Sequence, residues 1–228
     1  VLLIDALSSN KTLTSLNLTN NDVEDEGLLT LNKSLKSNRS LKSLVLAKND
    51  FRRIGTTAIA NALLNCPIEE LNISNCTITL DGIKALSAVL KSNNSLKVLI
   101  LNNCRIGNSE IEEITAALKS NVSLQELDLD YNRIQDDGFH YLATLIQSNP
   151  RIRYISLWGN AVGGLKAREI ANALKSNTYL KVFKMQLAPH VSKNKEDNEI
   201  SEIGELAECL KSKQNLDELW IRGNVGVD

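Results

Sequence analysis

An apolar pattern returns along almost the whole chain at a nearly constant interval. The pattern is L-x-x-L-x-L, with other apolar residues at some of the leucine positions, and it begins at residues 13, 41, 68, 96, 124, 152, 180 and 216. The intervals between these starts are 28, 27, 28, 28, 28, 28 and 36 residues. Such regularity identifies a repeat array of eight units, in which each unit buries its apolar face against its neighbours. Positions within a unit are counted from its start.

Each unit is predicted to contain a strand followed by a helix. Segments such as LTSLNL, IEELNI and LQELDL alternate, so that positions 4 and 6 point to the core and the positions between them point to the opposite face. The residues that follow are apolar at intervals of three and four, which indicates a helix, and glycines at one offset are expected to open these helices: Gly27, Gly55, Gly82 and Gly138. Because a helix is wider than a strand, stacked units bend with their strands on the inner, concave side.

Two columns of polar residues accompany the apolar pattern. Position 9 is expected to satisfy backbone groups of a buried turn, since asparagine both donates and accepts and cysteine is a weaker substitute; it holds Asn21, Asn49, Cys76, Cys104, Asn132, Asn160 and Asn224. A second column ends the helices, where we expect left-handed caps at Asn38, Asn93, Asn121, Asn149 and Asn177.

The pattern L-x-x-L-x-L-x-x-N/C, followed by a glycine-initiated helix in a unit of 28 residues, resembles the leucine-rich repeats of the ribonuclease-inhibitor-like subfamily. The resemblance extends from about Leu13 to Asn224. It implies an α/β leucine-rich-repeat solenoid, a horseshoe with a parallel β-sheet on the concave side and α-helices on the convex side. We expect residues 1–228 to form a single domain of about eight such repeats.

The resemblance implies a class of function rather than one activity. Repeats of this kind occur in ribonuclease inhibitors, nucleotide-binding innate immune receptors, the Ran GTPase-activating protein, tropomodulins and effectors secreted by intracellular bacteria. It therefore implies a protein-protein interaction module that binds a partner protein through the concave sheet face, as a scaffold, sensor or secreted effector.

The alternative is a GTPase-activating protein similar to the Ran-specific activator, in which a polar residue or an arginine from a strand-to-helix loop acts near the nucleotide. Arginines in such loops are Arg52, Arg53, Arg105 and Arg133. They are spread over several units and no single extended loop holds them, which favours the interaction module.

The sequence also lacks the motifs of common enzyme classes. It contains no glycine-rich phosphate loop, no H-E-x-x-H and no G-x-S-x-G motif, and His140 and His190 lie far apart in the repeat. Cys76 and Cys104 occupy turn positions that should be buried, so we expect structural thiols rather than nucleophiles. We predict that the chain is not an enzyme and uses no cofactor and no metal.

Composition limits the classes of partner and the cellular compartment that we expect for this chain. A formal net charge of -1 lacks the basic excess of a nucleic-acid binder, and no apolar run reaches the length of a membrane span. The four cysteines lack the spacing of a disulfide framework, which favours reduced thiols in the cytoplasm, or in the host cytoplasm for a secreted bacterial effector. Eight N-x-S/T sequons do not indicate secretion, because several recur with the repeat ending Ser-Asn-x-Ser. We expect a monomer.

The array is irregular at its ends and in unit 7. Residues 1–6 are apolar except for Asp5, residues 7–10 match the end of a helix, and residues 216–228 supply a strand and turn without the following helix. We therefore expect a fragment of a longer protein. Unit 7 carries Ala188 at position 9 and a polar insertion around His190. A tolerated surface loop is favoured for this insertion over a second partner contact.

The concave face is predicted to vary strongly along the array. Positions 3, 5, 7 and 8 should face the hollow; they are small and nearly neutral in the first units and apolar in unit 4, at Val98 and Ile100. Acidic and aromatic side chains adjoin in units 5 and 6, and tryptophan, tyrosine and arginine are the types enriched among binding hot spots. We predict a partner-binding patch of Glu126, Asp128, Asp130, Tyr131, Tyr154, Trp158, Lys184, Trp220 and Arg222. A calcium site at Asp128 and Asp130 is disfavoured, because no acidic loop containing glycine accompanies them.

Overall fold

A computed structural model of the protein describes residues 2–187, 211 and 216–222. Its strands are β1 (Ser15–Asn17), β2 (Ser43–Val45), β3 (Glu70–Asn72), β4 (Val98–Ile100), β5 (Glu126–Asp128), β6 (Tyr154–Val162), β7 (Val182–Leu187) and β8 (Glu218–Arg222). Its helices are α1 (Leu2–Asp5), followed by a 3-10 turn at Ala6–Ser8, then α2 (Asp25–Leu35), α3 (Arg53–Asn65), α4 (Leu80–Leu90), α5 (Asn108–Leu118), α6 (Asp136–Ser148) and α7 (Gly164–Ser176).

The eight strands form one parallel sheet in the order of the chain. Each residue pairs with the residue at the same repeat position of the next unit, as in Leu71↔Leu99 and Leu99↔Leu127. Successive helices from α2 to α7 likewise pack side by side. The α/β leucine-rich-repeat solenoid expected from the sequence is therefore confirmed, and equal repeat positions form columns that cross the sheet.

The core runs between sheet and helices as one continuous cluster. Position 4 is fully buried from β2 to β5, whereas positions 3 and 5 on either side of it are exposed or half-buried. Each buried leucine contributes roughly 1.5–3 kcal/mol of hydrophobic free energy. The positions that face away from this cluster are free to vary, and they form the concave face.

The asparagines of position 9 tie each turn to the preceding unit, as predicted. Asn132 Oδ1 accepts hydrogen bonds from the backbone N–H groups of Cys104 and Ile106, both at 3.0 Å. Asn132 Nδ2 donates to the carbonyls of Leu101 at 2.8 Å and Leu129 at 2.9 Å. Since one amide meets four backbone groups of two units, this column fixes the register between neighbours.

The prediction of left-handed caps at the helix ends is wrong. Asn149 has φ −89° and Asn177 has φ −75°, and their side chains face the interior. Asn121 shows their role: Nδ2 donates to the carbonyls of Leu90 and Asn93, and Oδ1 accepts from two N–H groups at the start of unit 5. These asparagines form a second column of inter-unit hydrogen bonds, which single-helix capping rules do not describe.

Left-handed residues lie instead at position 8 of units 1 to 6. They are Asn20, Lys48, Asn75, Asn103, Tyr131 and Gly159, with φ between 52° and 70°. Two further residues, Asp22 and Arg105, are also left-handed. The chain of units 1 to 6 thus bends in the same way at this position, and the bend is present whether or not a glycine occupies it.

The glycines expected to open helices stand at the third helical residue rather than the first. At Gly82 an added Cβ would lie 2.9 Å from Cβ of Thr56 in the previous helix, and at Gly138 it would lie 2.7 Å from Asn108 Oδ1. Close packing between adjacent units therefore explains Gly55, Gly82 and Gly138 better than helix initiation does, whereas a Cβ at Gly27 would meet only Val23 of its own unit.

Candidate functional site

The structure brings the predicted patch residues together on adjoining strands of the concave face. In the pairing of β5 with β6, Glu126 lies beside Tyr154 and Asp128 beside Ser156. In the pairings that follow, Lys184 lies between Ser156 and Trp220. The patch therefore spans four neighbouring strands, with acidic side chains in unit 5, aromatic side chains on β6, Lys184 on β7, and Trp220 and Arg222 beside the carboxylate of Glu218 on β8.

Asp130 has a structural role in addition to the predicted recognition role. Its Oδ1 accepts hydrogen bonds from Ser156 Oγ at 2.6 Å and from the backbone N–H of Trp158 at 2.7 Å. These contacts connect β5 to the point where the register between β6 and β7 shifts. Asp130 thereby positions Trp158, a connection that depends on the neighbouring strand and has no signal in the sequence of unit 5.

Asp128 is half-buried and sits in a turn that other units share. Its Oδ1 accepts from the Asp130 N–H at 2.9 Å, as Asn17 accepts from Thr19 and Asn72 from Ser74. Burial raises the pKa of Asp128 to about 6; the Asp130 charge also raises it, while the Asp130 N–H and Lys184 lower it. Burial likewise raises the pKa of Asp130. The ionised carboxylates of Asp128 and Asp130 thus lack full solvation.

Lys184 is held between two aromatic rings. Its Nζ lies 5.2 Å from the ring centroid of Tyr154 and 5.3 Å from that of Trp220. Trp220 is in turn oriented by its Nε1, which donates to Glu218 Oε2 at 2.9 Å. Cation–π contacts of this kind contribute about 0.5–1 kcal/mol each at exposed sites. The three side chains form one ordered cluster across β6, β7 and β8.

The edge of the patch near position 8 holds Tyr131, Trp158 and Arg222. The Arg222 guanidinium lies 6.0 Å from the Trp158 ring centroid. Tyr131 is 61% exposed and adopts φ 53°. Its ring leaves no room at Gly159, where an added Cβ would lie 2.5 Å from Tyr131 Cδ1. Tyr131 is therefore held in an unfavourable backbone conformation while its ring stays open to solvent.

Comparison with known proteins agrees with this geometry. The family model of the leucine-rich repeat matches residues 9–31, 64–87 and 120–143. The chain therefore carries leucine-rich repeats, and its repeats resemble those of the ribonuclease-inhibitor-like kind. No curated protein matches its sequence.

Two solved structures resemble this leucine-rich-repeat protein in fold. The leiomodin-1 actin-binding site 2 has a TM-score of 0.55 and 23% sequence identity, and the match covers 70% of this chain and 87% of that one. The tropomodulin C-terminal domain of Caenorhabditis elegans has a TM-score of 0.51 and 16% identity, over 63% of this chain and 83% of that one. At these identities the likeness establishes the fold alone.

A second polar group lies on the helices of this leucine-rich-repeat protein and was not predicted. Glu169 on α7 accepts from His140 Nδ1 at 2.9 Å and from Lys166 Nζ at 2.7 Å. The signal for it is the spacing of 29 residues between His140 and Glu169, which places them on adjacent helices of a 28-residue array. Exposed pairs of this kind add about 0–1 kcal/mol.

The thiols and arginines do not form a further site among the described residues. Burial raises the pKa of Cys104 to about 12, and it also raises the pKa of Cys76, so neither thiol is a ready nucleophile. The loop arginines are exposed on three separate turns: Arg52 and Arg53, Arg105, and Arg133. Within the part of the chain that the structure describes, no group of three or more His, Cys, Asp or Glu residues could hold a metal ion, and no helix is long and apolar enough to cross a membrane.

The irregular part of unit 7 stays a prediction. Ala188, the polar insertion around His190 and Cys209 lie outside the described residues, as does Asn224.

Proposed function

We propose that this protein is a binding module that holds a partner protein against the concave face of units 5 to 8. The observation that carries the proposal is the set of cation–π contacts that join Lys184 and Arg222 to Tyr154, Trp158 and Trp220. These contacts order large side chains before any partner arrives. A surface ordered in advance loses less conformational entropy on binding, and these residue types dominate binding hot spots.

The fold neighbours support the same class of function. The leiomodin-1 structure is named as an actin-binding site. For this chain, that name makes actin the first purified protein to assay, and it supports a protein partner rather than a nucleic acid or a membrane. Buried thiols with raised pKa values suit a reducing compartment, so we propose that the module acts in the cytoplasm as a non-enzymatic monomer.

The continuous sheet supports a single domain. Strand pairing continues without a break from β1 to β8, so we infer that all eight units belong to one domain. A partner that contacts units 5 to 8 would therefore meet a surface supported by units 1 to 4.

Substitution of Trp158 tests the proposal. We expect Trp158→Ala to weaken binding to actin, or to a partner identified by affinity capture and mass spectrometry, by roughly 2 kcal/mol, about 30-fold, as hot spots do. Titration of the purified partner measures this, with circular dichroism to show that the variant is folded.

Tyr179→Ala is the matched control, since Tyr179 also carries a cation–π contact, with Arg153 at 5.3 Å, but lies before β7 and outside the patch. Wild-type affinity in Tyr179→Ala together with lost affinity in Trp158→Ala supports the proposal. Equal affinity of wild type and Trp158→Ala would remove it.

A further inference from the structure

One unit of the array presents aliphatic side chains at both concave strand positions. Positions 3 and 5 of unit 4 are Val98 and Ile100, and no other unit has aliphatic residues at both. They lie on β4 and are half-buried, whereas Leu99 between them is fully buried. The two side chains therefore form a short apolar strip on the concave face, near the middle of the sheet.

Carboxylates adjoin the apolar strip on the β5 side. Glu126 pairs with Val98 and Asp128 pairs with Ile100, so each acid is one strand spacing, about 4.8 Å, from its aliphatic neighbour. The two acids are separated along β5 by roughly 7 Å and point to the same face. Glu126 is exposed and Asp128 is half-buried. The apolar strip thus has an acidic border on β5.

The opposite border, on β3, is turned away from the apolar strip. Glu70 also pairs with Val98, but its Oε2 accepts a hydrogen bond from Ser43 Oγ on β2 at 3.0 Å. Position 5 of β3 is Asn72, whose Oδ1 accepts from the N–H and the hydroxyl of Ser74. The negative charge that a ligand on the apolar strip can meet therefore lies on β5.

Two cations of neighbouring units are directed away from the acidic border. Lys97 lies directly before β4 but pairs with Glu69 of unit 3. Lys184 on β7 is held between two aromatic rings. Within the part of the chain that the structure describes, no ion pair within 4.0 Å includes Glu126 or Asp128. The acidic border keeps charge that a ligand can compensate.

The surroundings of Asp128 favour a cationic ligand. Burial raises the pKa of Asp128 to about 6, although the Asp130 N–H and Lys184 lower it. A cation that approaches from the solvent side stabilises the ionised carboxylate, and the attraction is stronger beside aliphatic side chains than in water. A nucleic acid, an anionic lipid or an acidic side chain would be repelled by the same border.

An arginine side chain fits an apolar strip with an acidic border. Its aliphatic stem can cover apolar surface while its charged end reaches the edge of that surface. Its planar guanidinium presents several donors in a rigid fork and is more weakly hydrated than the ammonium of lysine. Bonds from this fork to carboxylates are among the stronger hydrogen bonds in proteins.

We propose that the partner protein places one arginine on β4, with its stem on Val98 and Ile100 and its guanidinium between the carboxylates of Glu126 and Asp128. The proposal rests on the proposed function and deepens it, because it assigns one side chain of the partner. It also extends the binding surface from units 5 to 8 to include unit 4.

Three blocked tripeptides test the proposal: Ala-Arg-Ala and its equivalents with lysine or citrulline at the centre. Citrulline has nearly the shape of arginine without its charge. NMR titration of the whole chain at pH 7.5 follows the methyl groups of Val98 and Ile100. We expect the arginine peptide to shift these signals saturably, and to bind at least about threefold more tightly than the lysine peptide and about tenfold more tightly than the citrulline peptide.

Three variants locate the bound arginine. Glu126→Gln should weaken the arginine peptide at least about fivefold, because the exposed carboxylate is lost. Ile100→Asn should weaken it about threefold through the lost stem contact, and units 1 and 3 already carry asparagine at this position. Glu70→Gln is the matched control, since Glu70 pairs with the same Val98 but is held toward β2. It should leave the affinity unchanged, and melting temperatures verify that all three variants are folded.

Absence of saturable shifts at Val98 and Ile100, equal binding of the arginine and citrulline peptides, or equal losses in Glu70→Gln and Glu126→Gln would overturn the inference. The proposed function survives these outcomes if Trp158→Ala still weakens binding of the protein partner. Failure of both experiments would remove both proposals.

Discussion

At the scale of single residues, Tyr131 stands where the backbone bend is least suited to its side chain. Units 1, 3 and 4 place asparagine at this left-handed position, and unit 6 places glycine there. A left-handed conformation costs an ordinary residue about 1–2 kcal/mol, and asparagine tolerates it better because its side chain bonds locally. The exposed ring of Tyr131 thus carries a conformational cost that a purely structural residue would avoid.

We expect Tyr131→Asn to raise stability by roughly 0.5–1 kcal/mol and to weaken binding of the protein partner. A variant that is more stable but binds the partner less tightly would show that Tyr131 serves binding rather than folding. Thermal unfolding and partner titration measure the two effects. A fall in melting temperature would show that contact of the ring with Gly159 outweighs the backbone cost.

Asp128 gives a residue-scale prediction in pH. Its pKa is about 6 in the folded protein against 3.8 for the free side chain, so the folded state binds its proton more tightly than the unfolded state does. The ionised carboxylate therefore costs stability above pH 6, and this cost disappears as the pH falls from about 6 to about 4. Asp130 and Lys184 are the charged groups that act on it.

We expect Asp128→Asn to stabilise the protein at pH 7.5 by roughly 1–3 kcal/mol and to have little effect near pH 4. Asparagine keeps the acceptor of the local hydrogen bond, as Asn17 and Asn72 do at the same repeat position. Urea denaturation at the two pH values measures the difference. A stability difference that is the same at both would contradict the assignment of the raised pKa to Asp128.

The candidate site was predictable residue by residue only in part. Alternation along a strand fixes which side chains leave the core, and this was sufficient to place Glu126 and Tyr154 on the concave face. Alternation does not determine the conformation of a long side chain. The position of Lys184 between Tyr154 and Trp220 is therefore visible only in the folded structure. The hydrogen bonds that Asp130 accepts from β6 also depend on the neighbouring unit, because their donors are 26 and 28 residues away.

At the scale of elements, helix ends in this protein are organised by the neighbouring unit more than by the helix itself. Capping rules treat one helix in isolation, and they assigned left-handed caps to asparagines that instead span two units. Asn121 meets two carbonyls of the previous unit and two N–H groups of the next strand start. The repeat spacing located this column of asparagines correctly. Their hydrogen bonds join two units, so their role cannot be predicted from one helix alone.

We expect Asn121→Ala to destabilise the protein by roughly 2–4 kcal/mol, because it leaves several buried backbone groups without partners. Asn94→Ala is the matched control: Asn94 is exposed one residue after the equivalent asparagine of the previous unit, and its replacement should change stability by less than about 0.5 kcal/mol. The midpoints of urea denaturation measure the loss of stability in Asn121→Ala and in Asn94→Ala. Similar small effects would show that water replaces the Asn121 amide.

At the scale of the whole molecule, the repeat interval was sufficient to predict the fold. An interval of 28 residues leaves each unit one strand and one helix, and neither can be buried without the adjacent unit. The one short interval, between units 2 and 3, preserves the strand register, since Ser43 still pairs with Glu70. The sequence carries no comparable signal for the identity of the partner, because packing leaves the concave face of each unit free to vary.

The buried asparagine column also limits the cellular compartment in which the whole chain can fold. Asn38, Asn93 and Asn121 are 0%, 7% and 3% exposed, and each belongs to an N-x-S sequon. Their Nδ2 atoms, to which an N-linked glycan would be attached, donate hydrogen bonds to the preceding unit. A glycan at any of them is therefore incompatible with the stacked array.

We expect the chain to be glycosylated and misfolded when directed through a eukaryotic secretory pathway, and to fold when made in the cytosol. Removing these three of the eight sequons with Ser40→Ala, Ser95→Ala and Ser123→Ala should restore folding in the secretory pathway, because the three buried asparagine amides remain and the asparagines of the other five sequons are exposed or half-buried. The same triple variant made in the cytosol is the control for direct effects of the serines, and protease resistance with circular dichroism measures folding. A secreted wild-type chain that is glycosylated at Asn121 and yet resists protease would contradict the role given to this column, since the glycan and the hydrogen bonds to Leu90 and Asn93 require the same nitrogen.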